Sequence, residues 1–226
     1  MIQAKDRMII ALDFPTMTEA IELVEKIGDG ATFYKVGLEL FLNSSGKMIE
    51  YLAGKKKKIF LDLKFHDIPN TTASKENVFM YNVHATGGKK MMSKVVEEVR
   101  KIDEKSLLIA VTILTSLSQE EVKETFMTET SIKDLAMNLA RLAKESGMNG
   151  VVCSPWEAKY IKEALGEEFK TVCPGVRPAW SATNDQTRIM TPKNAMMNGC
   201  DFLVVGRPIT KHEDPALAAR LVVEEI

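Results

Sequence analysis

Apolar and polar residues along this chain alternate between two patterns, one typical of buried strands and one typical of amphipathic helices. Short runs rich in β-branched and aromatic residues recur eight times, and most are followed by apolar residues at helical spacing. The predicted strands are residues 8–12, 32–36, 58–63, 80–83, 107–112, 150–153, 171–173 and 202–205. The predicted helices are residues 18–27, 47–52, 91–100, 132–144, 155–165 and 216–225.

This alternation of strands and helices predicts an α/β fold, a single (β/α)8 TIM barrel over residues 1–226. No linker or low-complexity segment interrupts the pattern. The competing architecture is a doubly wound open sheet, which normally carries a glycine-rich turn after its first strand. Here that turn reads Asp13-Phe14-Pro15, so the barrel is favoured.

One connection is too short for this scheme. Only residues 72–78 are available for a helix between the third and fourth strands, whereas a crossover usually needs about a dozen residues. Either the third helix is truncated or residues are missing near Ser74–Asn77, and we favour the second interpretation.

Composition narrows the class of protein. The chain of 226 residues is 45% hydrophobic and 27% charged with a net charge of −1, which suits a soluble globular protein. The balanced charge gives no electrostatic reason to expect nucleic acid or an anionic membrane as partner. The three cysteines lack metal-ligand spacing and predict buried thiols in a reducing compartment. With no secretory signal and no apolar run of membrane-spanning length, we expect a cytoplasmic protein.

The densest charge at any predicted strand end lies in the run Asp62-Leu63-Lys64-Phe65-His66-Asp67. Strand alternation places Asp62 and Lys64 on one face, and Asp67 lies on the following turn. In a closed barrel, these residues set charges of alternating sign at the mouth of an apolar interior. Such a cluster costs desolvation energy and adds little to fold stability, so it indicates chemistry.

Other strand ends are polar as well. The same parity turns Asp13 and Lys35 into the barrel. Gly175-Val176-Arg177 and Gly206-Arg207 follow strands seven and eight, where such barrels often bind a phosphoryl group through backbone N–H groups and arginine. The polar loop 181–188 between them is long enough to fold over a ligand, with Gln186 as a contact.

These residues resemble a known family. The run FLDLKFHDIPNT, residues 60–71, is similar to the signature of the bacterial type of orotidine 5'-phosphate decarboxylase. Further matches keep the family order from the first strand to the last. They are ALD at residues 11–13, KVG at 35–37, NVHA at 82–85, VTILTS at 111–116, CPGVRP at 173–178, DQTR at 185–188 and VVGRPIT at 204–210.

The resemblance implies conversion of orotidine 5'-monophosphate to uridine 5'-monophosphate, with Lys64 as the proton donor and with neither metal nor organic cofactor. Lys35, Asp62, Lys64 and Asp67 would form the charged catalytic network, with Asp67 reaching across a homodimer interface into the neighbouring site. The implied substrate-binding residues are Asp13 at the ribose, Thr115 at the pyrimidine, Arg177, Gln186, Gly206 and Arg207 at the phosphate and its covering loop, and Ile68 and Thr71.

Two alternatives stay open. A metal-dependent sugar-phosphate decarboxylase on the same barrel, resembling 3-keto-L-gulonate 6-phosphate decarboxylase, shares the Asp-x-Lys-x-x-Asp pattern. Thr115 and Asp185-Gln186 favour the nucleotide enzyme over it. A non-catalytic barrel that binds phosphometabolites is the other alternative, and an intact Lys64 between two carboxylates argues against it.

Overall fold

Eight parallel strands close into a barrel in sequence order, the last pairing with the first. The computed structural model describes residues 3–66, 78–181 and 190–226. The strands are β1 (Met8–Ala11), β2 (Phe33–Gly37), β3 (Lys58–Phe65), β4 (Met80–His84), β5 (Leu107–Val111), β6 (Gly150–Val152), β7 (Lys170–Cys173) and β8 (Phe202–Val205). The predicted (β/α)8 TIM barrel is confirmed.

Helices surround the barrel; the first precedes β1 and the others lie between or after the strands. They are α1 (Ala4–Arg7), α2 (Met17–Ile27), α3 (Leu38–Asn43), α4 (Lys47–Gly54), α5 (Gly88–Arg100), α6 (Gln119–Phe126), α7 (Ile132–Glu145), α8 (Pro155–Leu165), α9 (Pro192–Met197), α10 (Arg207–Thr210) and α11 (Pro215–Glu224). Within the described ranges, none of these helices is long and apolar enough to cross a membrane.

Local sequence signals explain where several helices begin. The Thr16 hydroxyl accepts a hydrogen bond from the Glu19 N–H at the start of α2. Ser118 and Ser154 each open a capping box with the glutamate three residues later, which satisfies N–H groups that the helix leaves unpaired. The longer predicted helices accordingly agree with the observed bounds to within about three residues.

The barrel separates two hydrophobic cores. The interior core is built from inward-facing residues, among them Ile9, Phe33, Phe60 and Phe202, all buried. A larger core lies between the strands and the helices. Ile9 and Phe33 share their strand faces with the positions of Asp13 and Lys35, so the predicted inward orientation is supported.

The short helices were not predicted from the sequence pattern. The segments α1, α3, α9 and α10 have between four and six residues, too few for a hydrophobic period to be recognised. The helix α6 has eight residues but buries only Val122, so it has no apolar stripe. The short connection near Ser74–Asn77 lies outside the described residues.

Gly150 offers a direct test of the barrel's closure. An added Cβ at Gly150 would lie 2.1 Å from the Lys170 carbonyl oxygen, inside the β6–β7 ladder. We expect Gly150→Ala to lower the free energy of unfolding by at least about 2 kcal/mol, because a buried backbone must shift. Urea unfolding followed by circular dichroism measures this.

The matched control is Gly54→Ala, at the end of α4, where an added Cβ meets nothing within 4 Å. This change should be neutral or stabilising by up to about 1 kcal/mol. Equal effects of the two substitutions would contradict the packing argument.

Candidate active site

The charged side chains of three neighbouring strands meet at one end of the barrel. Asp13 lies just beyond β1, Lys35 lies within β2 and Asp62 lies within β3. Register brings them together because Ala11 pairs with Lys35 and Gly37 pairs with Asp62. This is the carboxyl end of the parallel strands, where barrels of this kind place their active sites.

The side chains form a continuous ion network of alternating sign. Lys35 Nζ lies 3.0 Å from Asp13 Oδ1 and 3.2 Å from Asp62 Oδ2. Lys64 Nζ lies 2.7 Å from Asp62 Oδ1. The predicted convergence of Asp13, Lys35, Asp62 and Lys64 is therefore present in the structure.

Burial differs strongly along this network. The side chains of Lys35 and Asp62 are only 11% and 10% exposed. Asp13 is 66% exposed and Lys64 is 39% exposed, so both outer groups can reach a ligand in the mouth. The network thus has a buried inner pair, Lys35 and Asp62, and two accessible outer groups, the cation of Lys64 and the anion of Asp13.

The inner pair is charged despite its burial. Burial alone would raise the pKa of Asp62, but the ammonium groups of Lys35 and Lys64 and a hydrogen bond from Asn82 outweigh it and hold that pKa below its ordinary value. Burial would likewise lower the pKa of Lys35, and the carboxylates of Asp62 and Asp13 raise it instead. Asp62 is therefore an anion and Lys35 a cation at neutral pH.

Lys64 occupies an irregular part of β3. Its φ is +49°, in the left-handed region that non-glycine residues seldom adopt. The pairing register between β3 and β4 shifts between Leu61 and Phe65. The sequence-based picture of a regular alternation through Asp62 and Lys64 is thus wrong in detail, although the two side chains do meet.

A cavity of about 490 Å³ opens beside the network. Its lining includes Asp13, Lys35, Asp62 and Lys64 together with apolar residues such as Leu38. Gly37 also lines it, and a Cβ there would lie 3.3 Å from Lys35 Nζ. Lack of a side chain at Gly37 leaves room for the ammonium group.

Two histidines lie next to the network. The rings of His66 and His84 have centroids 5.8 Å apart. Burial is the main cause that lowers the pKa of His84, and the neighbouring His66 and Lys64 add to it while Asp62 opposes it. His84 is therefore neutral at neutral pH.

The residues predicted to bind phosphate do not all lie beside the ion network. Gly206 lies close to the network, since a Cβ on it would be 3.9 Å from Asp13 Oδ2. Arg207 is exposed and begins α10. Arg177 is buried and lines a second cavity of about 600 Å³, beside Pro178 and Thr191. In the described part of the chain, the two cavities share no lining residue.

Thr115 lies half-buried in the loop between β5 and α6. Within the described ranges no hydrogen bond joins its side chain to the four charged groups. The remaining predicted site residues, Asp67, Ile68, Thr71 and Gln186, lie outside the described residues.

Comparison with known proteins decides the family. Residues 6–222 match the Orotidine 5'-phosphate decarboxylase / HUMPS family. The chain belongs to this family. The resemblance inferred from the sequence motifs is thereby confirmed.

Relatives in this family match over nearly their whole length. An orotidine 5'-phosphate decarboxylase of Syntrophomonas wolfei is 45% identical over 237 residues, covering 100% of this chain and 99% of the relative. That of Hahella chejuensis is 46% identical over 226 residues, covering 97% of each chain. The crystal structure of the Lactobacillus acidophilus orotidine 5'-phosphate decarboxylase has a TM-score of 0.83 and 36% identity, covering 96% of this chain and 97% of that chain.

Potential metal ligands are dispersed over the described part of the chain. In residues 3–66, 78–181 and 190–226, no three His, Cys, Asp or Glu side chains are grouped closely enough to hold a metal ion. Cys153, Cys173 and Cys200 are free and buried, as the sequence predicted. The Cys153 and Cys173 sulfur atoms lie 3.9 Å apart.

Asn82 is a residue of the site that the sequence pattern did not indicate. This residue is buried within β4, and its Nδ2 donates a 2.6 Å hydrogen bond to Asp62 Oδ1. Parity offered a signal, because Met80 faces the interior core and Asn82, two residues later, shares that face. A polar side chain there has to find a partner inside the barrel.

The charge on Asp62 predicts a pH-dependent stability. Because the folded protein lowers the pKa of Asp62, the stabilisation by its ionised form is present above the unfolded value near 3.8 and is lost as pH falls through the folded value. Asp62→Asn should lower the free energy of unfolding by about 3 kcal/mol at neutral pH, since Lys35 loses its buried counterion. The deficit should shrink below about pH 4. Urea unfolding across this pH range measures it.

The matched control is Thr112→Val, which removes the hydrogen bond from the buried Thr112 hydroxyl to the Val152 carbonyl and removes no titratable group, so its deficit should not change across this pH range. A deficit for Asp62→Asn that stays constant from neutral to strongly acid pH would contradict the linkage.

Proposed function

We propose that this protein decarboxylates orotidine 5'-monophosphate to uridine 5'-monophosphate, the last step of de novo pyrimidine synthesis. The observation that carries the proposal is the Lys64 ammonium group, held 2.7 Å from Asp62 at the mouth of an apolar barrel. Membership in the Orotidine 5'-phosphate decarboxylase / HUMPS family and relatives of that activity at 45% and 46% identity support it.

The reaction requires stabilisation of an anion. Loss of CO2 breaks the bond at carbon 6 of the pyrimidine and leaves an electron pair in the plane of the ring, where no adjacent group delocalises it. Lys64 supplies the positive charge facing this carbon and then transfers a proton from Nζ to it, which gives uridylate. A preorganised charge in a site shielded from water is usually the largest catalytic contribution.

The inner pair keeps that charge in place. Asp62 binds Lys64 on one carboxylate oxygen and Lys35 on the other, so the carboxylate is fixed between two cations. Lys35 is fixed in turn by Asp13. Reorganisation during the reaction is small because the charges are already oriented.

Further residues bind the parts of the substrate away from carbon 6. Asp13 binds the ribose and Thr115 the pyrimidine, while Arg177, Gln186, Gly206 and Arg207 hold the phosphate and the loop that covers it. Ile68 and Thr71 also bind the substrate. The proximity of Gly206 to Asp13 supports a ligand that spans the ends of β8 and β1. Binding energy from the phosphate then offsets the cost of assembling charges at carbon 6.

Substitution of Lys64 tests the reaction. Lys64→Ala should lower kcat by more than about 10³-fold, because both the stabilising charge and the proton donor are lost. The ultraviolet absorbance change of orotidylate on conversion to uridylate measures turnover, and the wild type should keep its activity in EDTA.

Lys89→Ala serves as control, because Lys89 is an exposed lysine whose ion pair with Glu145 lies on the outer helices. It should leave turnover unchanged. An inactive wild type, or a Lys64→Ala variant as active as the wild type, would refute the proposed function. Activity abolished by EDTA would favour a metal-dependent sugar-phosphate decarboxylase.

We further propose a homodimer in which Asp67 serves the neighbouring subunit's site. The exposed apolar side chains of Leu38 and Leu42 on α3 support this, because α3 begins directly after β2 at the catalytic end. Leu38 also lines the catalytic cavity. A second copy over this face would bury both leucines next to the active site.

Mixing two inactive variants tests the shared site. Lys64→Ala and Asp67→Ala homodimers should each be nearly inactive. After subunit exchange, each mixed dimer has one intact site if Asp67 acts across the interface, so about a quarter of wild-type activity should return. If Asp67 acts within its own subunit, no mixed dimer has an intact site and activity stays absent.

We also propose that the protein is a single domain over residues 1–226 and acts in the cytoplasm. The family match over residues 6–222 supports the first statement. Three free buried thiols support the second, because disulfides form in oxidising compartments.

A further inference from the structure

Asn82 contacts the catalytic strand in two ways. Its side chain is buried in the barrel, with the residue 1% exposed. Asn82 Nδ2 donates to Asp62 Oδ1 at 2.6 Å, and Asn82 Oδ1 accepts from the Lys64 backbone N–H at 2.9 Å. One amide therefore binds the side chain of one catalytic residue and the backbone of another.

These contacts lie where the β3–β4 ladder is irregular. Leu61 pairs with Tyr81 and Phe65 pairs with Val83, so the three β3 residues between Leu61 and Phe65 face Asn82 alone. The usual backbone pairing is interrupted there, and the side-chain amide of Asn82 satisfies the Lys64 N–H in its place. Lys64 has its left-handed backbone at this point.

We propose that Asn82 is a positioning residue that fixes the strained backbone of Lys64 and the orientation of Asp62. This inference rests on the proposed function. Asn82 acts through the two residues that it binds, and it needs no contact with substrate.

The chemistry of the site selects an amide. Asp62 needs a donor and the Lys64 N–H needs an acceptor, and a carboxamide offers one of each from a single planar group. A carboxylate at position 82 would face the Asp62 carboxylate and repel it. Leucine would fill a similar volume but leave both partners without a hydrogen bond.

The Asn82→Asp variant gives a distinctive signature. The introduced carboxyl group lies against Asp62 and the Lys64 backbone of β3, and Asp62 in turn pairs with Lys35 of β2. The neighbouring histidines are His84 on the same strand and His66 after β3. When protonated, this group donates to Asp62 and accepts from the Lys64 N–H, as asparagine does. Two adjacent carboxylates share a proton more readily as pH falls. The kcat of the variant relative to wild type should therefore rise by about 10-fold or more between pH 8 and pH 5.5.

The Asn82→Leu variant removes both hydrogen bonds at every pH. Its kcat should fall by about 10²-fold, because Lys64 and Asp62 lose their fixed geometry, while KM changes much less. The matched control is Thr171→Val, near the opposite end of the barrel. It removes two hydrogen bonds of the buried Thr171 hydroxyl, which donates to the Gly199 carbonyl and accepts from the Asp201 N–H. That control should lose stability in urea and keep wild-type kcat.

Steady-state turnover of orotidylate from pH 5.5 to pH 8 tests the role of Asn82. Circular dichroism of each variant checks that the variant is folded. Acid rescue of Asn82→Asp together with a kcat defect in Asn82→Leu supports the proposal. A pH-independent ratio for Asn82→Asp, or Asn82→Leu with wild-type kcat, overturns it. Absence of turnover in the wild type itself would refute the proposed function instead.

Discussion

The site depends on the charge of one carboxylate, that of Asp62. Two ammonium groups and one amide converge on its two oxygen atoms, from β2, β3 and β4. A buried charge with fewer partners would carry a desolvation cost of several kcal/mol, and it would take up a proton instead. The complete set of partners keeps Asp62 ionised, and an ionised Asp62 in turn holds both lysines. Any rearrangement of one strand therefore disturbs the contacts made by the other two.

The barrel makes this arrangement possible through its dry interior. Beneath the network lie the aromatic rings of Phe33 and Phe202, edge to face with centroids 6.0 Å apart. A well-packed aromatic layer excludes water from the inner side of the ions, which strengthens their mutual attraction. The outer side is open, and the exposed parts of Asp13 and Lys64 face it. The same residues thus have a rigid interior support and an accessible reactive face, which preorganised electrostatic catalysis requires.

Much of this was predictable from the sequence, for identifiable reasons. Strand parity placed Asp13, Lys35 and Asp62 on the inward face, because the period of two in a strand is robust. The long crossover helices were predictable from their apolar stripe, whereas α3 and α10 are too short to have one. The irregular register at Lys64 could not be predicted, because no glycine or proline marks it and the left-handed backbone is imposed by the neighbouring strand. The two hydrogen bonds of Asn82 depend on that register, so they could not be predicted either.

The irregular register between β3 and β4 determines how Lys64 is held. In a regular strand, Asp62 and Lys64 would stand side by side on one face, with backbone bonds to β4 fixing both and leaving no place for a side-chain amide. In the observed strand, three residues face Asn82, and the backbone around Lys64 gives up regular pairing. The left-handed φ of Lys64 costs on the order of 1 kcal/mol, and such strain persists only where surrounding contacts determine it. Here the Asn82 amide and the Asp62 carboxylate are those contacts. Strain in the backbone and charge in the side chains are therefore held by the same few atoms, so the position of the Lys64 ammonium group follows from β4 as much as from its own strand.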